Sequence, residues 1–301
     1  MVLLALILDA VIGEPKRFHP LVGFGKLAAQ VERWANIGSS CSRRRKGLLG
    51  WILLVLPLPL LLLWLTPQLS ESAAFVVAAI CLYFSIGWRS LREHGLAVSA
   101  AYRAHGLSAA RERVGRIVSR DTDSMDEPAV ARATIESVLE NGSDAIFAPL
   151  FWFLVFGPAG AVGYRLANTL DAMWGYRTER FNHFGWASAK LDDLLNWLPA
   201  RLTAITYALL GNCRQSLACW RHQAAQCASP NGGPVMCSGA GSLNITLGGG
   251  AFYHGSWQSR PEMGMGQEAQ VADIGRAVTL IDHTLIVWCV VVVFGGIVGI
   301  V

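Results

Sequence analysis

The sequence predicts an all-α, polytopic integral membrane protein, a helical bundle with amphipathic surface helices and a re-entrant or broken helix. Three observations predict it. Of 301 residues, 53% are hydrophobic and only 15% charged, with a mean hydropathy of +0.39, too apolar for an ordinary soluble domain. The apolar residues gather into uncharged runs, expected as membrane segments at 1–12, 47–65, 73–88, 145–164, 194–213 and 284–301 of a single membrane domain covering 1–301. The charges gather instead into polar stretches at 120–144, 168–193 and 229–250. Charged groups are costly near lipid, so their concentration points first to function.

Met1–Ile12 is apolar apart from Asp9 and lacks the basic start and small-residue cleavage site of a signal peptide, so it reads as an uncleaved helix. Pro15 and Pro20 then confine Lys16, Arg17 and His19 to a surface loop. Arg43, Arg44, Arg45 and Lys46 precede 47–65, a run of about 19 residues that spans ~30 Å at 1.5 Å per residue. The basic cluster marks its cytoplasmic end, with a phosphate-binding patch as the alternative. Ala73–Trp88 returns to Arg89 and Arg92, closing a transmembrane hairpin. Residues 89–120 read as one or two basic amphipathic helices, packed on the membrane surface or binding an anionic substrate.

A helix follows through Ala129–Glu140, with Asp126 as N-cap, Pro128 in its first turn and Asn141-Gly142 as an αL stop. Arg132, Glu136 and Glu140 share one face, as a solvated ion-pair stripe or as part of a site. Ala145–Tyr164 is uncharged but interrupted by Pro149, Gly157, Pro158, Gly160 and Gly163. A simple crossing puts the polar stretches before and after it on opposite membrane faces. Broken backbone is tolerated at depth where protein or a water-filled cavity covers it, so a re-entrant segment is the physical route to uniting them. Asp192, Asp193 and Asn196 sit one turn apart, leading into the run 194–213 that carries Arg201.

The glycines of SPNGGPVMCSGAGSLNITLGGG would let backbone N–H groups approach an anion, or simply form a flexible loop; no GxxxxGK[ST] or GxGxxG is present. Tyr253 and Trp257 suit either a ligand face or an interfacial belt. Arg260–His283 reads as a loop and an amphipathic helix around Glu268–Leu280, before a final span in which Gly295, Gly296 and Gly299 permit close helix packing. The seven cysteines lack CxxC pairs and read as reduced thiols. A net charge of +4, without basic residues interleaved with aromatics, excludes nucleic acid as a partner.

The runs RDTDSMDEPAVARATIESVLENGSDAIFAPLF, NTLDAMWGYRTERFNHFGWASAKLDDLLNWLPARLTA and SPNGGPVMCSGAGSLNITLGG, with the opening DAVIGEPKRFHPLVGFGKL, resemble the membrane-bound adenosylcobinamide-phosphate synthase family of cobalamin biosynthesis. The resemblance covers nearly the whole chain. It implies an amide-forming ligase joining adenosylcobyric acid to (R)-1-aminopropan-2-ol or its O-phosphate, with ATP and Mg²⁺. It also implies residence in the bacterial cytoplasmic (inner) membrane, a site facing the cytoplasm, and room for homo-oligomers or other corrinoid-pathway enzymes as partners. Carried onto this sequence, it makes Asp121, Asp123, Glu136, Asp192 and Asp193 candidate catalytic residues. Arg132, Asn141, Asn168, Arg177, Arg180, Lys190, Arg201, Ser229, Asn231 and Gly232 become candidate substrate or phosphate contacts, with Pro234 beside them. Glu140, Asp144, Asp171 and Asp192 become candidate Mg²⁺ ligands. Residues Asp121–Asp144 would form one acidic wall, and Asn168, Asp171, Asp192 and Asp193 the facing one. A transporter using the same buried acids lacks visible repeat symmetry, and a non-catalytic membrane sensor would not need both walls.

Overall fold

The computed structural model describes residues 1–15, 19–253 and 255–297; Lys16, Arg17 and Gly299 lie outside them. The chain packs as two compact units, each built from two separate stretches: Met1–Trp88 with Asp144–Asn196, and Arg89–Ser143 with Trp197–Val301.

The first unit holds α1 (Val2–Ile12), α2 (Pro20–Ala35), α3 (Ser40–Val55), α4 (Pro57–Leu65), α5 (Glu71–Ser85), α8 (Ala148–Trp174) and α9 (Trp186–Leu195). α3 and α4 read together as the expected span, restarting at Pro57, which supplies no N–H and is tolerated in a first turn. The basic cluster 43–46 lies inside α3 rather than ahead of it. The core joins Trp51 and Val55 of α3 to Leu166, Leu170 and Trp174 of α8, with Phe184 closing over Trp174 at a ring distance of 4.8 Å. Gly47 is required here, because a Cβ would strike the Phe184 carbonyl.

α8 decides how this unit is organised. It breaks at Phe156 and Gly157, the latter at φ 61 and ψ −148, a region open essentially to glycine, and Pro158 restarts it. The halves then fold back: a Cβ on Gly160 would collide with the Trp152 carbonyl. Asp144 and Asp171 would stand about 40 Å apart in one straight helix, yet they act on one another directly. Residues 127–174 are long and apolar enough to cross a membrane, as are 40–68, 71–114 and 273–295. Folded at Gly157, however, neither half of α8 alone reaches ~30 Å.

The second unit holds α6 (Trp88–Val114) from Arg89 onward, α7 (Glu127–Gly142), α10 (Trp197–Leu209), α11 (Cys213–Gln223), α12 (Gly232–Leu243) and α13 (Asp273–Ile297). α6 is the expected basic amphipathic segment, bent at Gly106 with φ 77. Asp126 caps α7 by accepting from the Ala129 N–H at 2.8 Å. The expected αL stop at Asn141-Gly142 is not adopted. The chain runs on through a π-turn, Ser143–Phe147, and Gly142 serves packing instead, with Ile281 and the Tyr207 hydroxyl filling the space of a Cβ. The run 194–213 forms only the 13-residue α10, about 20 Å long and short of a full crossing. The expected amphipathic helix at 268–280 and span from 284 are instead one helix, α13, beginning at Asp273.

The glycine-rich stretch was expected as a loop and is instead α12, buried at every residue. Its glycines replace side chains at helix contacts: a Cβ on Gly239 would meet Leu139 at 2.7 Å, and one on Gly241 the Ser216 backbone at 2.7 Å. Five short strands follow: β1 (Ile245–Gly248), β2 (Ala251–Tyr253), β3 (Ser256–Gln258), β4 (Glu262–Gly264) and β5 (Gln267–Glu268). β1 lies between antiparallel β4 and parallel β5, with Leu247 opposite Met263, while β2 and β3 form a hairpin with Phe252 opposite Trp257.

Candidate functional site

Each unit carries its own polar centre. In the first, the π-turn and the two halves of α8 bring Asp144, Arg165, Asn168 and Asp171 to α9, which presents Asp192, Asp193 and Asn196. Asn196 Nδ2 donates to Asp144 Oδ1 at 2.7 Å, Asn168 Nδ2 to Asp192 Oδ1 at 3.3 Å, and Arg165 to Asn168 Oδ1 at 3.3 Å. Asp192 is 7% exposed. Burial holds its carboxyl well above the ordinary carboxylate range, and repulsion from Asp144 and Asp171 pushes it the same way, against the hydrogen bond from Asn168. Asp193 is more exposed and faces Lys190 at 3.7 Å.

In the second unit the centre is Glu136, 2% exposed on α7. Arg120 and Arg260 both reach its Oε2 at 2.8 Å, and the Gly248 N–H donates to Oε1 at 2.9 Å. Two guanidinium groups on one carboxylate leave a local positive charge, as an anion site requires. Asp121 lies beside this centre, tied to the β2–β3 hairpin: its N–H donates to the Phe252 carbonyl at 2.9 Å and its Oδ2 accepts from Gly255 N–H at 2.7 Å. Arg132 pairs with Glu268 at 2.7 Å. A second group in this unit joins Arg201, which donates to Asn231 Oδ1 at 2.8 Å and lies over the Trp197 ring at 4.5 Å, to Ser229, whose Oγ accepts from Gly232 N–H at 2.9 Å. Glu140 borders this group: a Cβ on Gly232 would meet its Oε1 at 2.5 Å.

The two expected walls are therefore divided differently. Asp144 joins Asn168, Asp171, Asp192 and Asp193 in the first unit, while Asp121, Glu136 and Glu140 belong to the second. Asn141 is exposed and turns back to the Ser137 carbonyl at 2.8 Å; Asp123 and Arg177 are exposed. Arg180 is committed elsewhere, clamping the buried Glu32 at 3.0 and 2.5 Å. Asn36 joins them, and Arg43 of the basic cluster donates to the Arg180 carbonyl. Pro234 is buried in α12. Two site residues are not singled out by the sequence patterns above, Arg165 and Arg260, whereas Arg120 closes the basic stretch 89–120. Arg165 is the first charge after an apolar run and stands one turn before Asn168, a lone charge in an apolar setting that could have marked it. Arg260, 124 positions from Glu136, leaves no local signal.

Among the described residues no three His, Cys, Asp or Glu side chains converge as a preformed metal cage. Mg²⁺ commonly keeps its waters and takes one or two carboxylates plus phosphate oxygens. The hard oxygens of Asp144, Asp171 and Asp192 fit it in kind, and their mutual repulsion leaves a cation welcome. Glu140, expected beside them, is in the other unit.

This arrangement is that of a polytopic helical membrane protein with buried acidic and basic centres. The chain belongs to the family described as CobD/Cbib protein, whose sequence model it matches over residues 2–281. It is 54% identical over 292 residues to the cobalamin biosynthesis protein CobD of Stutzerimonas stutzeri, covering 97% of this chain and 96% of the relative. The protein of the same name in Halalkalibacterium halodurans is 40% identical over 293 residues (94% and 91% covered), and that of Mycobacterium tuberculosis 37% over 284 (93% and 90%). No solved structure matches. The chain acts in cobalamin biosynthesis, as the resemblance read from its motifs implied.

Proposed function

We propose that the chain is a ligase forming the amide between a corrinoid carboxylate, that of adenosylcobyric acid, and (R)-1-aminopropan-2-ol or its O-phosphate, at the expense of MgATP. A carboxylate is a poor electrophile. Its oxygen must first attack the terminal phosphorus of ATP, releasing ADP and leaving an acyl phosphate. The amine nitrogen then attacks the acyl carbon, inorganic phosphate departs, and a base removes the ammonium proton. The observation that carries this reading is the buried carboxylate cluster of Asp144, Asp171 and Asp192 beside Arg165. One or two of Asp144, Asp171 and Asp192 would hold Mg²⁺, which would supply charge neutralisation for phosphoryl transfer. Arg165 and Asn168 orient these carboxylates. In the second unit, Arg120 and Arg260 stabilise an anion beside Glu136, and Asp121 receives the proton of an incoming ammonium.

The test is turnover by detergent-purified protein given adenosylcobyric acid, aminopropanol phosphate and MgATP, followed by corrinoid mass. Gain of the aminopropanol phosphate unit, dependent on ATP and absent in Asp192→Asn, is the expected result. Folded protein giving no product with either amine form overturns the reading.

A further inference from the structure

In the first unit the apolar helices leave a groove of about 450 Å³, within the ~300–1,000 Å³ of ligand pockets. Phe24 and Leu27 of α2, Leu53 and Leu58 of α3 and α4, Ile80 of α5 and Val162 of α8 line it. Leu27 is 49% exposed, Leu53 62% and Ile80 44%, so one side stands open. α3, α4, α5 and α8 lie in stretches long and apolar enough to cross a membrane, and the open side therefore meets hydrocarbon. The polar members of the lining bond within the protein: the Ser85 hydroxyl donates to the Cys81 carbonyl at 2.7 Å, and Arg165 to Asn168 at 3.3 Å. A nucleotide or an amine finds no converging polar partners here, whereas an apolar chain loses nothing by entering.

The helix faces that line the groove climb to a charged rim. Trp34 stands seven positions from Leu27 on α2, and Lys46 seven from Leu53 on α3, in each case about two turns and ~10 Å along the same face. α2 and α3 pack on one another across the turn 36–39, so Trp34 and Lys46 top one seam. Trp34 is 73% exposed, as suits a ring at a membrane interface. Lys46 donates to the Ile37 carbonyl at 3.0 Å and keeps its remaining donors; Arg44 and Arg45 beside it are exposed. Of the acids near this turn, Glu32 is held by Arg180 and Asn36, and exposed Glu179 gives its carbonyl to Arg43. The rim is therefore net positive above an apolar slot, the complement of an anionic amphiphile. We infer that the groove binds one acyl chain of an anionic glycerophospholipid, with the lipid phosphate on Arg45 and Lys46. The chain packs against Val162 and Leu166, on the half of α8 that carries Asn168 and Asp171 of the acidic centre.

The experiment is native mass spectrometry of the full-length protein, exchanged into lipid-free detergent and titrated with phosphatidylglycerol or with phosphatidylcholine of the same acyl chains, together with thermal unfolding of the same samples. One phosphatidylglycerol is expected to bind at least tenfold more tightly than phosphatidylcholine and to raise the unfolding midpoint, while glycerol phosphate, which has no acyl chain, leaves the midpoint unmoved. The double variant Arg45→Gln, Lys46→Gln should bring the two lipids to equal, weaker binding. Leu53→Trp, which fills the groove from its exposed side, should weaken both lipids tenfold or more. The double variant changes exposed residues alone and tests the inference by itself should Leu53→Trp fail to fold. Equal binding of the two lipids by the unsubstituted protein, a preference that survives the double substitution, or lipid binding unchanged by Leu53→Trp overturns the inference. So does a midpoint shift by glycerol phosphate as large as that by the lipid, which would make the rim a site for free phosphate. A dimer that forms without lipid and dissolves in Leu53→Trp also overturns it, since the groove would then take a second copy of this chain.

Discussion

Asp192 carries opposite demands at one residue. Its proton affinity is raised by burial and by Asp144 and Asp171, so the folded state binds a proton more readily than the unfolded chain. Stability from this group is therefore full below the ordinary carboxylate pKa and is lost as pH rises from there through the raised value. Asp192→Asn removes the charge and should stabilise the Mg²⁺-free protein at pH 7. It should also remove turnover. Thermal unfolding with and without Mg²⁺ checks both halves: Mg²⁺ should raise the midpoint of the wild type and leave the variant unmoved. A variant less stable than wild type at neutral pH would contradict the cluster as described.

Glu32 runs the other way. The hydrogen bond from Arg180 lowers its pKa most, with Asn36 and Arg43 adding to it against burial. This stability is present above the ordinary carboxylate range and lost as pH falls through the lowered value. Unfolding followed from pH 7 to 3 should show an acid-side loss that is flattened in Arg180→Ala. At this scale the sequence was partly legible. Asp126 as cap and the residues around Asp192 could be read from spacing, because both arise within one helix. That Arg180 serves Glu32, 148 positions away, and that Arg260 serves Glu136, could not, since ion pairs across the fold leave no periodicity.

Among the elements, the break in α8 was legible because glycine and proline punctuate an otherwise apolar run, whereas the burial of α12 was not. Composition alone cannot separate glycines that free a loop from glycines that let helices touch. The two kinds respond differently to substitution. Gly157→Ala meets no neighbour within 4 Å but must hold a positive φ, at a cost of about 1–3 kcal/mol. Gly239→Ala keeps ordinary helical backbone and collides with Leu139, costing roughly 1–3 kcal/mol by overpacking. In the background of Leu139→Ala, itself destabilising because Leu139 is buried, the loss at Gly239 should shrink and that at Gly157 should not. Denaturant titration of the two double variants checks this, and equal rescue at both sites would rule it out.

For the whole molecule, apolar runs and charge clusters sufficed to give the class, because a bilayer leaves backbone few options. Topology was harder, since hydropathy counts residues and cannot see a chain turning round. With α8 folded back, both of its ends are expected on one side of the membrane. Accessibility reporters placed at Asn141 and at Arg177 in the full-length chain should therefore agree with one another. Opposite signals from those two positions would make 145–164 a plain crossing.

The fold-back also sets an order of assembly. To the insertion machinery, 145–164 is as hydrophobic as a stop-transfer sequence, and nothing in its first half tells it to turn. α4 and α5 both pack on α8, and Gly163 sits against Pro59 so closely that a Cβ would lie 3.2 Å from its ring. Those earlier helices must already be in the membrane to receive it. The acidic centre, closed by α9, is thus built on helices that precede it in the chain, while the span in α13 is still to follow.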